Sequence, residues 1–169
     1  VDFYPEGGNF VSGVPTRIAF QARTEAGRTL NVAGALMRGG DSIGCFKTDY
    51  AGRGMFSATA DADSADLLVS GLELKLAYGG RDYRFPLPKA RRRGYSLAVF
   101  PSAKGLRISV ARNARTEGIV LGLSVTCRGQ TGYAGVVDLR SSLGKVLSVD
   151  TALLRTGVNV VTLYTSAGR

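Results

Sequence analysis

The densest cluster of charge in this sequence is the basic run Lys89-Ala90-Arg91-Arg92-Arg93. Such runs attract nucleic acids, anionic lipids and acidic proteins through charge alone. Nucleic-acid binding usually adds aromatic platforms or a groove-reading element. Only Tyr95 and Tyr133 are candidates for such platforms, so we expect no nucleic-acid partner. The candidate polyanion-binding residues are Lys89, Arg91, Arg92 and Arg93.

Two hypotheses for this basic run stay open. It is either an exposed linker that resists aggregation or pairs with an acidic partner, or a site for a polyanion. An anionic glycan such as lipopolysaccharide would be the natural polyanion for such a site. The linker is the favoured interpretation because only Tyr95 and Tyr133 could serve as aromatic platforms beside the run.

Residue types that perform catalysis are nearly missing. The chain contains no histidine, which excludes Ser-His-Asp and Cys-His catalysis and histidine-ligated metals. Its two cysteines, Cys45 and Cys127, are too few for a Cys₄ metal site or a disulfide-dense scaffold. Ser124 lacks the second glycine of a nucleophile elbow and has no base to activate it. Carboxylates and lysines remain, but we expect a protein that is not an enzyme and that needs no cofactor or metal.

One pair of carboxylates lies near the start of the chain. Glu6 stands between Pro5 and Gly7, with Asp2 nearby in sequence. A paired-carboxylate hydrolase holds its two carboxylates ~5–9.5 Å apart across a cleft, and the sequence predicts no cleft here. We therefore expect Glu6 to accept backbone N–H groups of the glycine bend, with a catalytic pair as the alternative.

A second group of carboxylates comprises Asp61, Asp63 and Asp66. Calcium needs about six to eight oxygen ligands, and an EF-hand loop needs Asp-x-Asp-x-Asp-Gly with a distal Glu. The spacing here differs from that pattern and no glycine follows it. A solvated acidic loop is the favoured interpretation, and a weak calcium site is the alternative.

The two cysteines lie within apolar, strand-like runs in different predicted domains. A free cysteine in such a run packs as a small apolar side chain. A disulfide between Cys45 and Cys127 would need their Cα atoms within about 7 Å of each other. We expect free thiols, with an intramolecular disulfide as the alternative.

The elements that would position these residues are short strands divided by turns. Apolar and polar residues alternate at 16–21, where Ile18 and Phe20 share one face, and again at 73–78. Gly79-Gly80 then joins 73–78 to 81–85 in a hairpin pattern. No window shows a sustained 3.6-residue apolar period, so the sequence predicts an all-β protein. The predicted strands are 16–21, 30–37, 42–48, 55–59, 73–78, 81–85, 95–100, 106–111, 118–126, 133–138, 145–149 and 158–164. Residues 151–155 are predicted either as a helical turn or as a bulged strand or loop.

Composition changes near residue 88. Residues 1–88 contain 9 Lys and Arg against 10 Asp and Glu, whereas residues 89–169 contain 13 against 3, which gives the stated net charge of +9. Pro86 and Pro88 cannot both continue a central strand. Regularly spaced short strands are typical of antiparallel sandwiches. We predict two consecutive immunoglobulin-like antiparallel β-sandwiches, at 1–88 and 95–169, joined by a basic linker at 89–94.

Several segments resemble a known family. The opening Asp2-Phe3-Tyr4-Pro5-Glu6-Gly7-Gly8-Asn9 and its continuation Val11-Ser12-Gly13-Val14-Pro15-Thr16-Arg17-Ile18-Ala19-Phe20 resemble a signature of macroglobulin-type β-sandwich modules. These modules occur in Bacteroidetes cell-envelope proteins, including ones with TonB-dependent receptor plug-like segments. Three later pieces are similar too: Tyr50-Ala51-Gly52-Arg53-Gly54-Met55-Phe56, Phe85-Pro86-Leu87-Pro88 and Gly94-Tyr95-Ser96-Leu97.

The resemblance implies architecture and compartment. Residues 157–164 with Gly168-Arg169 resemble the last hairpin of a following module, in which one more strand usually comes next. The resemblance therefore implies a second module truncated at its C-terminus and a location in the periplasm or at the outer-membrane surface. The macroglobulin thioester motif Cys-Gly-Glu-Gln is matched at neither Cys45 nor Cys127, so no thioester reactivity carries over.

The motif residues have a structural explanation that needs no active site. Pro5 ends the first strand because it lacks a ladder donor, and Gly7 and Gly8 permit positive φ in the bend. Gly52 and Gly54 are expected to do the same in the turn before Met55. The inward fillers of the first core are expected to be Phe3, Phe20, Phe46, Phe56 and Phe85.

These observations lead to two functional hypotheses. The first is a non-catalytic structural or docking module of a larger cell-envelope protein, partnered by other domains of its parent chain or by an envelope protein, without membrane insertion. An exposed edge strand would bind by strand addition and would also form dimers. The alternative is a module for glycans or other polyanions that uses the basic linker and the second domain, with Tyr95, Tyr133 and Tyr164 stacking on sugars.

Overall fold

The computed structural model describes residues 1–61 and 71–167. In this part of the chain every pairing between named strands is antiparallel, and the helical segments are two short 3-10 turns, Glu6–Gly8 and Thr151–Leu153. The predicted all-β antiparallel class is therefore confirmed. No described helix is long and apolar enough to cross a membrane. The chain divides into two compact units, Val1–Arg92 and Arg93–Arg169.

The first unit is built from seven strands. They are β1 (Asp2–Pro5), β2 (Thr16–Gln21), β3 (Ala33–Arg38), β4 (Asp41–Tyr50), β5 (Arg53–Ala58), β6 (Leu72–Tyr78) and β7 (Arg81–Pro86). Hydrogen bonds join them in the order β1-β2-β5-β4-β3-β6-β7. The long strand β4 connects two halves of this sheet, since it pairs with β3 up to Lys47 and with β5 at Thr48 and Tyr50. Side chains from both halves enter one core, which is a sandwich-like arrangement.

Phenylalanines dominate the core of the first unit. Phe20, Phe46 and Phe56 are buried, and Phe3 and Phe85 pack half-buried against the same cluster, so the predicted set of five is confirmed. The rings of Phe20 and Phe46 meet edge to face with their centroids 5.3 Å apart, a favoured geometry for aromatic pairs. One aromatic side chain of this core, Phe10, was not predicted.

The glycine-rich bends behave in two different ways. Gly7, Gly8 and Gly52 adopt φ values of 72°, 78° and 72°, as their predicted role requires. For Gly54 the prediction of a positive φ is wrong, because this residue lies in extended β5. A Cβ at Gly54 would lie 2.3 Å from the Lys47 carbonyl oxygen and 2.7 Å from the Phe20 ring. Close packing, and not backbone conformation, therefore requires this glycine.

The second unit contains six strands in two sheets. They are β8 (Tyr95–Ser102), β9 (Gly105–Arg112), β10 (Val120–Cys127), β11 (Gln130–Asp138), β12 (Gly144–Asp150) and β13 (Asn159–Tyr164). One sheet has the order β11-β10-β13 and the other β12-β9-β8. Both sheets contribute to a second core, with Ile108 and Val110 from β9 and Leu121, Leu123 and Val125 from β10.

The observed strands differ from most predicted ranges by one or two residues at their ends, and by three residues at the starts of β3 and β11. β3 begins at Ala33 because the N–H groups of Leu30 and Val32 donate to Ala22 O and Thr48 Oγ1, at 3.0 Å each. β10 and β11 continue up to a two-residue turn, Arg128-Gly129, where the sequence analysis placed a longer gap. Part of 151–155 forms the 3-10 turn Thr151–Leu153, which selects the first of the two predicted alternatives.

Substitution of two glycines with nearly equal φ can distinguish the cost of backbone strain from the cost of a steric clash. Gly52 and Gly80 have φ values of 72° and 75°, but a Cβ would meet Ala22 O at 2.6 Å at Gly52 and nothing within 4 Å at Gly80. We expect Gly80→Ala to lower the free energy of unfolding by about 1 kcal/mol and Gly52→Ala by about 3 kcal/mol. Urea unfolding of both variants checks this difference, and equal losses would contradict it.

Candidate functional site

The basic run is attached to the first unit up to Arg91. The Arg91 N–H donates to Phe10 O at 2.7 Å, and its carbonyl accepts from Ser12 N at 3.0 Å. Ala90 is buried, whereas the candidate side chains around it are exposed. The predicted linker 89–94 is thus a fixed segment at Arg91, which presents its basic side chains outward. The exposed candidates are Lys89, Arg91, Arg92 and Arg93.

At the other end of the predicted linker, the chain is held within the second unit. The Gly94 N–H donates to Thr116 Oγ1 at 2.7 Å, and the Thr116 hydroxyl lies 3.2 Å from Gly94 O and 2.5 Å from Asn113 Oδ1. Thr116 and Asn113 are both buried. A buried polar cluster therefore fixes the chain where the second unit begins.

Glu6 of the opening motif has a guanidinium partner that the sequence analysis did not indicate. Arg17 donates from Nε to Glu6 Oε2 and from Nη2 to Oε1, each at 2.6 Å. This bidentate hydrogen bond, which the Glu6 carboxylate accepts, raises the pKa of Arg17. Arg17 lies on β2 beside the bend, so the pair connects the bend to the sheet.

Of the three carboxylates in the acidic group, the structure describes only that of Asp61. Asp63 and Asp66 lie outside the described residues. Asp61 is paired with Arg38, whose Nη1 lies 3.3 Å from Oδ1. Within the described residues no cluster of three His, Cys, Asp or Glu side chains could hold a metal ion.

The two cysteines occupy different environments and both are free thiols. Cys127 is buried, as predicted, and its Sγ lies 3.8 Å from Thr156 O. Cys45 is exposed, so its predicted burial is wrong. The strand alternation of β4 explains the difference, because Phe46 takes the core side and its neighbours Cys45 and Lys47 take the solvent side.

Of the three tyrosines considered for sugar stacking, Tyr164 is the most accessible. Tyr95 donates its hydroxyl to Glu117 O at 2.8 Å, and burial raises the pKa of Tyr95. Tyr133 packs against the core of the second unit. Tyr164 is 39% exposed, and its hydroxyl lies 3.2 Å from Ser124 Oγ.

Tyr164 belongs to an outward sheet surface, which we name the β13 face. On β10 the inward positions are buried, so the alternate positions and their cross-strand partners point outward. Val136 and Tyr164 flank Gly122, and Val160 stands opposite Thr126. Around Gly122, Ser124 and Thr126 the face contains no charged side chain, although residues 93–169 contain 10 Lys and Arg against 3 Asp and Glu. Asp138, which stands opposite Val120 on the same outward side, lies at the border of the face. Its members are Gly122, Ser124, Thr126, Ala134, Val136, Val160, Thr162 and Tyr164.

The β13 edge also differs from the other sheet edges in the described ranges. Edge strands usually carry charges or proline, which oppose pairing with another chain. β13 has the sequence Asn-Val-Val-Thr-Leu-Tyr and pairs with β10 along one side. Each other edge strand has at least one protective residue: Asp2 and Pro5 in β1, Arg81, Asp82, Arg84 and Pro86 in β7, Pro101 in β8, Asp138 in β11, and Lys145 and Asp150 in β12.

A charged pair borders this sheet. Asp138, at the end of β11, accepts from Arg140 Nη2 at 2.7 Å and from the Arg140 backbone N–H at 2.9 Å. These hydrogen bonds lower the pKa of Asp138 to about 2. Because the native pKa lies below its ordinary value, the pair contributes stability above about pH 4, and that contribution is lost as the pH falls toward 2.

Removal of the Arg140 guanidinium should raise the pKa of Asp138. We expect Arg140→Gln to return it most of the way toward 3.8, because the side-chain hydrogen bond from Arg140 is the largest cause of the shift. Lys145→Gln is the matched control, since Lys145 acts only through its charge and weakly. Carbon-detected NMR titration of the Asp138 carboxyl measures both. Equal shifts in the two variants would contradict this assignment.

Comparison with known proteins assigns no family to this chain. No family model matches the chain, and a search of curated proteins gives no match.

Proposed function

We propose that this chain is a non-catalytic interaction module that binds by strand addition at the β13 edge. The observation that carries the proposal is the unprotected edge of β13 beside the uncharged β13 face. An incoming strand would satisfy the outward N–H and C=O groups of β13 and would cover Val160, which is 53% exposed. The partner we infer is an uncharged extended segment, and a second copy of β13 meets that description.

Charge explains why the contact would form at this place. Residues 93–169 contain 10 Lys and Arg against 3 Asp and Glu, so the charged surfaces of this unit in two copies repel each other. The β13 face carries no charge and contains exposed Val136, Val160 and Tyr164. Antiparallel pairing of two β13 strands would place identical uncharged residues about a two-fold axis.

The motifs at 2–20 and 50–56 support a further part of the proposal. Their resemblance to macroglobulin-type modules favours a spacer or docking domain within a larger cell-envelope protein. Such a protein would work in the periplasm or at the outer-membrane surface, where neighbouring domains of the parent chain or an envelope protein would supply the strand.

A single lysine on β13 tests the proposed edge. We expect the chain to form a dimer as its concentration rises, and Val160→Lys to weaken that dimer at least about tenfold, because each dimer would have to bury two lysines on its paired edge strands. Light scattering after size-exclusion chromatography measures the mass of both proteins at several concentrations.

The control for this experiment is Val146→Lys. Val146 lies on the edge strand β12 and is 61% exposed, so the variant adds the same charge at a similar valine. We expect it to leave the dimer intact. A monomer at every concentration, or equal weakening by both variants, would refute the proposed edge.

Polyanion binding by the basic run is the second candidate function. Its support is the backbone of Arg91, which two hydrogen bonds fix so that exposed basic side chains are presented on an ordered segment. A preorganised basic segment loses less conformational entropy on binding than a mobile one. Lys89, Arg91 and Arg92 are its basic members within the first unit, and the first two are changed in the test.

Heparin retention tests this second function. We expect the double variant Lys89→Gln with Arg91→Gln to elute from heparin at clearly lower salt than the parent protein. The reason is that two positive charges that would contact the sulfate groups of heparin are lost. Lys47→Gln with Arg53→Gln is the matched control, since both residues are exposed on the first unit. Equal shifts in the two double variants would mean that net charge alone governs retention.

A further inference from the structure

The second unit contains a cavity of about 500 Å³ at one end of the sheet β11-β10-β13. Its lining residues are Cys127, Arg128, Gln130, Leu154, Arg155 and Thr156. This volume falls in the range of small-molecule sites, ~300–1,000 Å³. The lining includes two arginines, two uncharged polar side chains and one leucine. The arginines could bind an anionic group of a ligand, and the other side chains could contact the rest of that molecule.

The walls of this cavity are held in place. The Asn159 amide donates to Arg155 O at 2.9 Å and to Gly157 O at 3.2 Å, which fixes the loop before β13. The Cys127 thiol approaches Thr156 O from the other side. Gly157 has a φ of 129°, and a Cβ there would lie 3.3 Å from Cys127 Sγ and 3.7 Å from Arg128 Nε. The Arg128 side chain therefore lies against this loop.

Arg128 is held in an unfavourable backbone conformation. It has a φ of 50° and precedes Gly129, whose φ is 76°, as in a type I′ hairpin turn. The comparable turns of the first unit have smaller residues at that position, namely Gly39, Ala51 and Gly79. A long side chain at positive φ is disfavoured, and such strain concentrates at functional sites.

The positive charges of this cavity have no counter-charge among the residues that the structure describes. In residues 1–61 and 71–167, neither Arg128 nor Arg155 pairs with a carboxylate. The acidic residues nearest in sequence are engaged elsewhere: Asp138 binds Arg140, and Asp150 accepts from Ala152 N. Guanidinium groups bind carboxylates, phosphates and sulfates through paired N–H donors.

We propose that this cavity binds a small organic oxyanion, with the carboxylate, phosphate or sulfate on Arg128 and Arg155. The body of the ligand would contact Leu154 and hydrogen-bond Gln130 or Thr156. A sugar acid or sugar phosphate has both parts. This site is separate from the β13 edge and from the basic run, so it does not depend on the proposed function.

Titration of the full chain followed by amide NMR tests the site. The probes are glucuronate for a carboxylate, glucose 6-phosphate for a phosphate, inorganic sulfate, and glucose as the neutral control. We expect saturable shifts at Gly129, Gln130, Thr156 and Gly157 with at least one anion and none with glucose. The probe that binds most tightly identifies the anionic group.

Three variants decide between a site and general charge attraction. Arg128→Gly and Arg155→Gln should each lower the affinity at least about tenfold, because a charge-assisted hydrogen-bond pair is lost. Arg107→Gln is the matched control, since Arg107 is exposed on β9 of the same unit, and it should change the affinity less than about twofold.

Arg128→Gly also separates lost binding from lost folding. Glycine accepts a φ of 50° without strain, so its thermal midpoint should equal or exceed that of the parent protein. Loss of binding in this well-folded variant would support the proposal. Unchanged affinity in both cavity variants, an equal loss in Arg107→Gln, or no saturable shift with any of the three anions would overturn it.

Discussion

Each strand of this protein has one face to bury, and this constraint organises both units. In β9, Ile108 and Val110 are buried while Arg107 is exposed, and in β4, Phe46 is buried between exposed neighbours. The period of two residues therefore decides which side chains form the two cores. It also decides which side chains remain on the outside for binding, because a one-residue shift in register would exchange the two faces.

Close approach of backbones adds a second constraint. A Cβ at Gly34, Gly54, Gly105 or Gly132 would lie 2.0–2.3 Å from a carbonyl oxygen of another segment. At these positions a backbone carbonyl of another segment packs so closely that a side chain on the glycine would displace it. At Gly132 that neighbour is Leu153 O, from the loop that also supplies Leu154 to the cavity. The same packing that closes the unit thus brings the cavity loop beside β11.

The apolar and cationic surfaces of the second unit are formed by different residues. The β13 face is uncharged, whereas Arg128 and Arg155 lie where β10 turns into β11 and where the chain enters β13. Arg112 uses its guanidinium internally, donating from Nε to Ser142 O at 3.1 Å and from Nη1 to Thr116 O at 2.8 Å. Four arginines of this unit therefore differ in role: Arg112 stabilises loops through carbonyls, Arg140 pairs with Asp138, and Arg128 and Arg155 line the cavity.

The sequence by itself determined the all-β class, most strands and the phenylalanine core, because alternation and turn residues are local signals. It also indicated the bends at Gly7, Gly8 and Gly52. Only the tertiary structure decided the reason for Gly54 and the partner of Glu6, since each depends on contact with another segment. Cys45 is exposed because β4 alternates and Phe46 takes the core side. The cavity had no sequence signal, because Arg128 and Arg155 are 27 residues apart and only the pairing of β13 with β10 brings their segments together.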